Sequence, residues 1–540
     1  MEQGRRFFEW RGAPALVYSV LALWISWPLA LNPSGSYVGG ARTDALNAIW
    51  SLWFAHDALA EDRLPLQTHL LNHPIGGRLV VADLLNAFLG FPLVAAFGAV
   101  AAYAILVHFH LWFSGMAAHA LGKKLGGSGW IAGVGYVASP LVLSHLQNGS
   151  SEAVAAGWLP LGLLGLIHAV EGGGLRRIIL GGGGLFLAAL GSGWYAGVGA
   201  FLCAGMIGVF GWPKLGFVQL WKRLVPAVLL GLALTAPLAV GVKAVAVASD
   251  GLVEIKNPLD LERIRRTLGP ADPRVFFAPA PFASPDFQHL EGNPSDRFHT
   301  VYLGYVLLGL AFWGLWRHGM THPALWATLV LGLVLAMGPV VVVGGFPLSI
   351  GGKALPLPYA LVEKLPGFSA LSLLYRLASV SVLLLAVLAD RSRGRWAVLI
   401  LLEVVLLSPA KHLPEVTTLP ELPAAQSLAE LPPGAVLNLP IVPGRNFLYE
   451  QILHHKPVVG SLNTSVNLPG LQVLSAARKL RAKTIDKEAF SAAAQQAGVR
   501  YVVTHKNVMS PEAFVSASTA ISQSFTPVAQ DDRMVVYQLW

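Results

Sequence analysis

The chain has little charge and almost no cysteine. Asp, Glu, Lys and Arg make up 12% of its 540 residues, and 54% of the residues are apolar, with a mean hydropathy of +0.58. That composition excludes an ordinary soluble enzyme, which needs more charge to cover its surface. The lone cysteine, Cys203, lies in an apolar stretch, which excludes an intrachain disulfide and any multi-cysteine metal site. An outward domain must then be stable without covalent staples. Small residues that would mark a cleavage site are missing after the first apolar segment, where Trp24, Trp27 and Pro28 stand instead. The first segment therefore reads as a retained helix rather than a signal peptide.

What the chain has in abundance is apolar segments of membrane-spanning length, at approximately 14–31, 99–120, 130–146, 154–170, 178–190, 194–210, 224–247, 301–316, 324–343, 371–388 and 396–407. A helix needs roughly 20 residues to cross a hydrocarbon core of about 30 Å, so these read as about eleven transmembrane helices. Basic residues mark every second connection: Arg5, Arg6 and Arg11, then Lys123 and Lys124, Arg176 and Arg177, Lys214, Lys222 and Arg223, Arg317, and Arg391, Arg393 and Arg395. Short basic loops stay in the cytoplasm. The N-terminus is then inside, and the connections 32–98, 248–300 and 344–370 face outward together with everything after Ser408. The net charge of +9 is largely that of the inner loops, so it speaks for contact with anionic lipid and against nucleic acid.

After Ser408 the long apolar runs stop. A Pro-rich stretch, 408–433, reads as a linker, 435–442 as a strand, 471–481 and 487–497 as helices, 500–505 as a strand, 511–522 as a helix with Pro511 at its first position, and 533–539 as a closing strand. The fold class expected is mainly α: a polytopic helical membrane protein, with a transmembrane domain at 1–409 and a small outward α/β domain at 410–540. The tail contains no phosphate loop, nucleophile elbow or zinc motif. Its adjacent His454 and His455 would point to opposite faces of a strand, unsuited to chelating one ion.

Ionisable residues at the membrane are costly and are therefore candidates for function. The first outward loop reads Gly39-Gly-Ala-Arg-Thr-Asp44-Ala-Leu-Asn-Ala-Ile-Trp50-Ser-Leu-Trp53. From Asp44 onward its apolar residues recur at helical spacing, which predicts an amphipathic helix on the outer interface with its tryptophans toward lipid. Asp44 at its first turn is a functional acid or a helix cap. The outward turn at 145–152 holds His145 and Glu152, the latter a ligand or an N-terminal helix acid. Arg376 lies just inside an apolar run, where a guanidinium must snorkel, pair with an acid such as Glu403, or bind an anion; its planar fork suits a phosphate. Asp83 precedes the second span and is an accessory candidate. His108 and His110, two apart, face different sides of a helix and read as polar packing.

The first outward loop resembles that of the GT-C class of polytopic glycosyltransferases, which take a sugar from a polyprenyl-phosphate carrier. The resemblance extends along most of the chain through Leu71-Asn-His-Pro74-Ile-Gly76, Ala138-Ser-Pro140-Leu-Val-Leu-Ser-His145, Tyr302-Leu-Gly-Tyr305, Leu365-Pro-Gly-Phe368 with Tyr375-Arg376, Leu437-Asn-Leu-Pro440 and Val535-Val-Tyr537. It is nearest to bacterial members of mostly unassigned substrate. It implies that Asp44 is the catalytic or acceptor-binding group, that Arg376 holds the carrier phosphate, and that Glu152 with His145 holds a divalent ion or the acceptor. No Asp-x-Asp occurs in an outward loop, a departure that counts against a metal-dependent mechanism.

The function expected from this resemblance is transfer of a sugar from a polyprenyl-phosphate-linked donor to a glycan, lipid or protein acceptor, at the outer face of a bacterial inner membrane, with the C-terminal domain periplasmic. The rivals are a catalytically inactive scaffold of the same fold in an envelope complex and a lipid or glycan transporter. Pro226, Pro237 and the glycine run 181–184 hint only weakly at the broken helices of a transporter. The orientation is directly testable. A reporter active only in the cytoplasm, fused after Trp540, should be silent, and activity there would overturn it.

Overall fold

The computed structural model describes residues 12–40, 43–79, 83–191, 194–248, 252, 258–267, 269–279, 300–344, 346–365, 367–391, 394–407, 414–440, 447–460 and 487–540. The expected helix at 471–481 and the basic residues Arg5, Arg6, Arg11 and Arg393 lie outside them.

Helices form where the apolar runs predict them, and they break where a glycine or proline dictates. The second span belongs to a helix, Leu84–Lys124, that is interrupted at Gly98 (φ 79°), so the expected start at 99 falls just after the interruption. The third segment is two helices, Trp130–Val137 and Pro140–Gln147. Pro140 cannot continue a helix from Val137, and the Ser139 hydroxyl accepts from Val142 N to start a new one. Further along come Trp158–Gly172, Leu175–Leu190, Tyr195–Phe210, Phe217–Val247, Tyr305–His318, Pro323–Ala336, Ala378–Ala389 and Ala397–Leu407. By length and composition, three helical stretches among the described residues are long and apolar enough to cross a membrane: Leu84–Lys124, Ser151–Gly172 and Phe217–Val245. Ala13–Ile25, Tyr195–Phe210, Pro323–Ala336 and Leu374–Ala389 are apolar but shorter.

The glycine run that hinted at transport has a packing explanation. A Cβ on Gly162 would lie 2.6 Å from the Gly184 carbonyl oxygen, and one on Gly165 would lie 2.5 Å from that of Leu180. Small residues let the backbones of Trp158–Gly172 and Leu175–Leu190 touch, as membrane helices commonly do.

The C-terminal part builds a four-stranded sheet in the order Pro527–Gln530, Met534–Gln538, Val499–His505, Ala435–Leu439. The last two strands are parallel and the other pairings antiparallel. Successive side chains of a strand face opposite sides, and here both sides are buried. Val436, Tyr501, Val503, Met534 and Val536 join the core that continues into the helical body. Leu437, Val502, Val535 and Tyr537 face the other way, onto Phe490, Ala494, Ile521 and Phe525. The Pro-rich stretch expected to be a linker contains a helix, Pro423–Glu430, and the strand Val416–Thr418, which pairs antiparallel with Ser36–Val38 of the first outward loop.

This docking corrects the expectation for the helix after Asp44. Ala45–Ala60 is buried along most of its length; Trp50 is 0% exposed and Trp53 7%. It lies between the Leu84–Lys124 helix and the tail helix Leu448–His454. The Trp50 indole donates to Gln451 Oε1 at 2.8 Å, and Trp53 meets the His455 ring edge-on. A tryptophan with one polar edge suits a protein contact as well as a lipid headgroup. His454 and His455 sit at the end of that helix rather than in a strand.

One buried pair ties this helix to the sheet. The two ring nitrogens of His505 face the Leu439 carbonyl at 2.9 Å and Glu450 Oε2 at 2.8 Å. With Glu450 ionised both partners are acceptors, and a doubly protonated ring satisfies both. Burial opposes the charge, but Glu450 and these hydrogen bonds outweigh it and raise the pKa above the usual histidine value. A raised histidine pKa means that the pair's stabilisation is complete below the unfolded pKa of about 6.5 and is lost as pH rises through the folded value. The protection factors of the amides in 448–454, with the intrinsic pH dependence of exchange divided out, should therefore fall as pH rises through the folded value, by an amount corresponding to about 1.5–3 kcal/mol for a charged hydrogen bond. His505→Gln should lose that dependence, and a pH-independent wild type would contradict the assignment.

Candidate functional site

The acidic candidates come from helix starts. Asp44 and Asp83 are the N-cap residues of Ala45–Ala60 and Leu84–Lys124, and Glu152 is in the first turn of the short helix Ser151–Val154. Arg376 is in the 3-10 turn Leu374–Leu377 that leads into Ala378–Ala389.

The outward turn at 145–152 is the hub. Its Asn148 carbonyl accepts from Asp44 N at 3.0 Å. Gly149 follows with φ 65°, and a Cβ there would be 2.4 Å from Ala45 N, so only glycine allows this approach. Ser151 Oγ donates to Asp83 Oδ2 at 2.6 Å, and Glu152 Oε1 accepts from Arg376 Nη1 at 3.1 Å. One turn thus touches the other two acidic segments and the arginine.

Asp83 caps its helix through Asn86 N (3.3 Å) and also accepts from Asn86 Nδ2 (2.6 Å). The Asn86 amide oxygen in turn meets His110 Nε2 at 2.5 Å. Burial pushes the Asp83 carboxyl up to about 6; the hydrogen bond from Ser151 opposes the rise and the charge of Glu152 adds to it. Asp44, in contrast, occupies a cap position without its side chain capping the helix. The Tyr103 hydroxyl, which donates to the Val38 carbonyl at 3.2 Å, lies within electrostatic range of Asp44, Asp83 and Glu152 alike. His108, by contrast, turns away to Ser26 and the Ala104 carbonyl, as the spacing predicts.

Arg376 is held from its flanks. Its Nε donates to the Tyr375 hydroxyl at 3.2 Å, and the rings of Tyr195 and Tyr375 lie 5.9 and 6.0 Å from the guanidinium carbon. The Tyr195 hydroxyl is fixed by Leu373 N at 3.0 Å, and the His145 ring stacks on that of Tyr375 with centroids 6.0 Å apart. Glu403 is not the partner of Arg376. It caps Tyr305–His318, accepting from Tyr305 N and Val306 N, donors that a helix start leaves unsatisfied, and it also accepts from the Tyr302 hydroxyl.

The structure therefore brings Glu152, Arg376, His145 and Asp83 into one connected set, with Asp44 joined through the Asn148 backbone. Tyr195, Tyr103, Ser151 and Asn86 belong to it and carry no local sequence signal; Tyr375 is flagged only by its place beside Arg376. Among the described residues, no group of three or more His, Cys, Asp or Glu side chains is placed to hold a metal ion.

No protein-family model matches the chain, and no curated protein matches it by sequence. Solved structures do. Arabinofuranosyltransferase AftD from Mycobacteria is 17% identical over 99% of this chain and 40% of its own, with a TM-score of 0.58. The oligosaccharyltransferase of Archaeoglobus fulgidus in its apo form is 11% identical over 94% of this chain and 71% of its own, with a TM-score of 0.50. This chain thus spans well under half of the length of the mycobacterial protein. It shares the overall fold of these two glycosyltransferase structures, and three of its helical stretches are long and apolar enough to cross a membrane.

The hub has a specific weak point. Gly149→Ala must place a Cβ against the Ala45 backbone at positive φ, which should cost about 1–3 kcal/mol and push the 145–152 turn off the Asp44 helix. Gly205→Ala, with nothing within 4 Å of the added carbon, is the control. Equal unfolding temperatures of both variants and wild type in detergent would contradict the close approach.

Proposed function

We propose that the chain is a membrane glycosyltransferase that moves a sugar from a polyprenyl-phosphate carrier to an acceptor at the outer face of a bacterial inner membrane. The observation that carries the reading is the meeting of an anion-binding guanidinium with carboxylates from separate segments at one turn. A glycosyl transfer from a lipid phosphate needs both: a cation where the phosphate departs and a base where the acceptor hydroxyl loses its proton.

In this mechanism the acceptor oxygen attacks the anomeric carbon from the face opposite the phosphate. The new glycosidic bond forms as the bond to the phosphate oxygen breaks, with inversion. Asp44 takes the acceptor proton, and Arg376 stabilises the negative charge gained by the leaving polyprenyl phosphate. Glu152 and His145 line the acceptor side, and Asp83 holds Ser151 and thereby the turn. The tail, docked on the loop that carries Asp44, would bind the acceptor glycan or a protein partner. If a divalent ion takes part, Glu152 and Asp44 are the residues to contact it, as a Lewis acid toward the acceptor or the phosphate.

The second reading, an inactive scaffold of the same fold, draws on the fact that Arg376 already has an anionic partner in Glu152. The two separate cleanly. A purified chain supplied with a panel of polyprenyl-phosphate sugars should transfer one of them, and Asp44→Asn should abolish that transfer, by about 100-fold or more for a lost general base, without lowering the unfolding temperature. Normal turnover in Asp44→Asn would remove Asp44 from the mechanism, and no transfer from any donor would favour the scaffold.

A further inference from the structure

The Glu152–Arg376 pair is asymmetric. The arginine is the more enclosed partner, its side chain 13% exposed against 23% for the glutamate. The Arg376 position does not depend on Glu152, because the Tyr375 hydroxyl and the Tyr195 and Tyr375 rings hold the guanidinium from other directions. Glu152, on the other hand, stands in the first turn of a four-residue helix after a glycine turn and is the more exposed of the two. An anion that takes the place of the carboxylate leaves the other holds on the arginine intact.

We infer that Glu152 occupies the phosphate position of Arg376 when no donor is bound, and that the donor's phosphate displaces it. The inference rests on the reading of Arg376 as the donor-phosphate group. A sugar phosphodiester carries one negative charge, as a carboxylate does, so the exchange is near balance in the ground state. As the sugar leaves, the phosphate gains a second charge and its hold on the guanidinium strengthens beyond anything the carboxylate offered. The arginine thus favours the transition state over the bound donor, the condition for a binding contact to raise turnover.

Displacement has a second consequence. A released Glu152 carboxylate cannot turn toward Asp83, which is buried and already bears Glu152's repulsion. It stays on the turn that meets the Asp44 backbone through Asn148, the side assigned above to the acceptor. Donor binding thereby supplies the acceptor side with a carboxylate that is otherwise held by Arg376.

The test uses the full chain in lipid nanodiscs with undecaprenyl phosphate as the probe. Glu152→Gln keeps the shape and removes the competing charge, so it should bind the probe about three- to tenfold more tightly, roughly the effect of losing up to 1.4 kcal/mol of competition. Arg376→Gln should bind it at least about tenfold more weakly. In the wild type, labelling of Glu152 by a water-soluble carbodiimide, read by peptide mass spectrometry, should rise when the probe is added; this measurement needs no variant to fold. If Arg376→Gln weakens binding but Glu152→Gln does not tighten it, or if Glu152 labelling does not rise, the displacement is overturned while the donor site stands. If Arg376→Gln binds as the wild type does, the donor-site reading itself falls.

Discussion

A guanidinium enclosed at the edge of an apolar bundle cannot be left without an anion, because the cost of burying an unpaired charge exceeds what packing returns. Arg376 meets that constraint with Glu152, and much of the site follows from it. The carboxylate must be delivered from a turn in a different part of the chain. That turn must approach the Asp44 helix closely enough to require glycine at position 149. The two tyrosines that hold the arginine come from its own neighbour and from the start of Tyr195–Phe210.

The tail stands in a similar relation to the first outward loop. Its sheet is buried on both faces, one of them against the core shared with the helical body. The Val416–Thr418 strand pairs with Ser36–Val38, and Gly39 N donates to the Glu415 carbonyl close to the segment that carries Asp44. Gln451 then clamps the middle of Ala45–Ala60 by accepting from Trp50 and donating to the Leu70 carbonyl. The orientation of the helix that begins at Asp44 is set by the tail on one side and by Leu84–Lys124 on the other. Changes in the tail can therefore reach the acidic cluster through one packed helix, without a separate linker to transmit them.

How much of this was legible in sequence depends on the range of the interaction. Helix positions follow from apolar runs, and the starts at Pro511, Tyr195 and Ala397 lie within a residue of expectation, because hydropathy and breakers act locally. The strands Ala435–Leu439, Val499–His505 and Met534–Gln538 were also legible from their apolar patterns, whereas Pro527–Gln530 is a largely exposed edge with no such pattern. The tryptophans of the first loop were misplaced because an indole reports a need for an amphipathic surface and cannot distinguish lipid from protein. Arg376 announced that it needed a partner but not which one: Glu403 is nearer in sequence, yet it is consumed by the donors at a helix start, and Glu152 is 224 residues away. Asp44, Glu152, His145 and Asp83 were legible as candidates; their meeting at one turn is a property of the fold.

The central claim is that Arg376 receives the phosphate of a polyprenyl carrier in the space shared with Asp44. The most direct measurement is a cryo-electron microscopy map of the chain in lipid nanodiscs with a polyprenyl phosphate added. The account predicts phosphate density within hydrogen-bond distance of the Arg376 guanidinium, with the prenyl chain running out into lipid and room for one sugar before Asp44. A well-defined carrier bound elsewhere, with the Arg376–Glu152 pair intact, would contradict it.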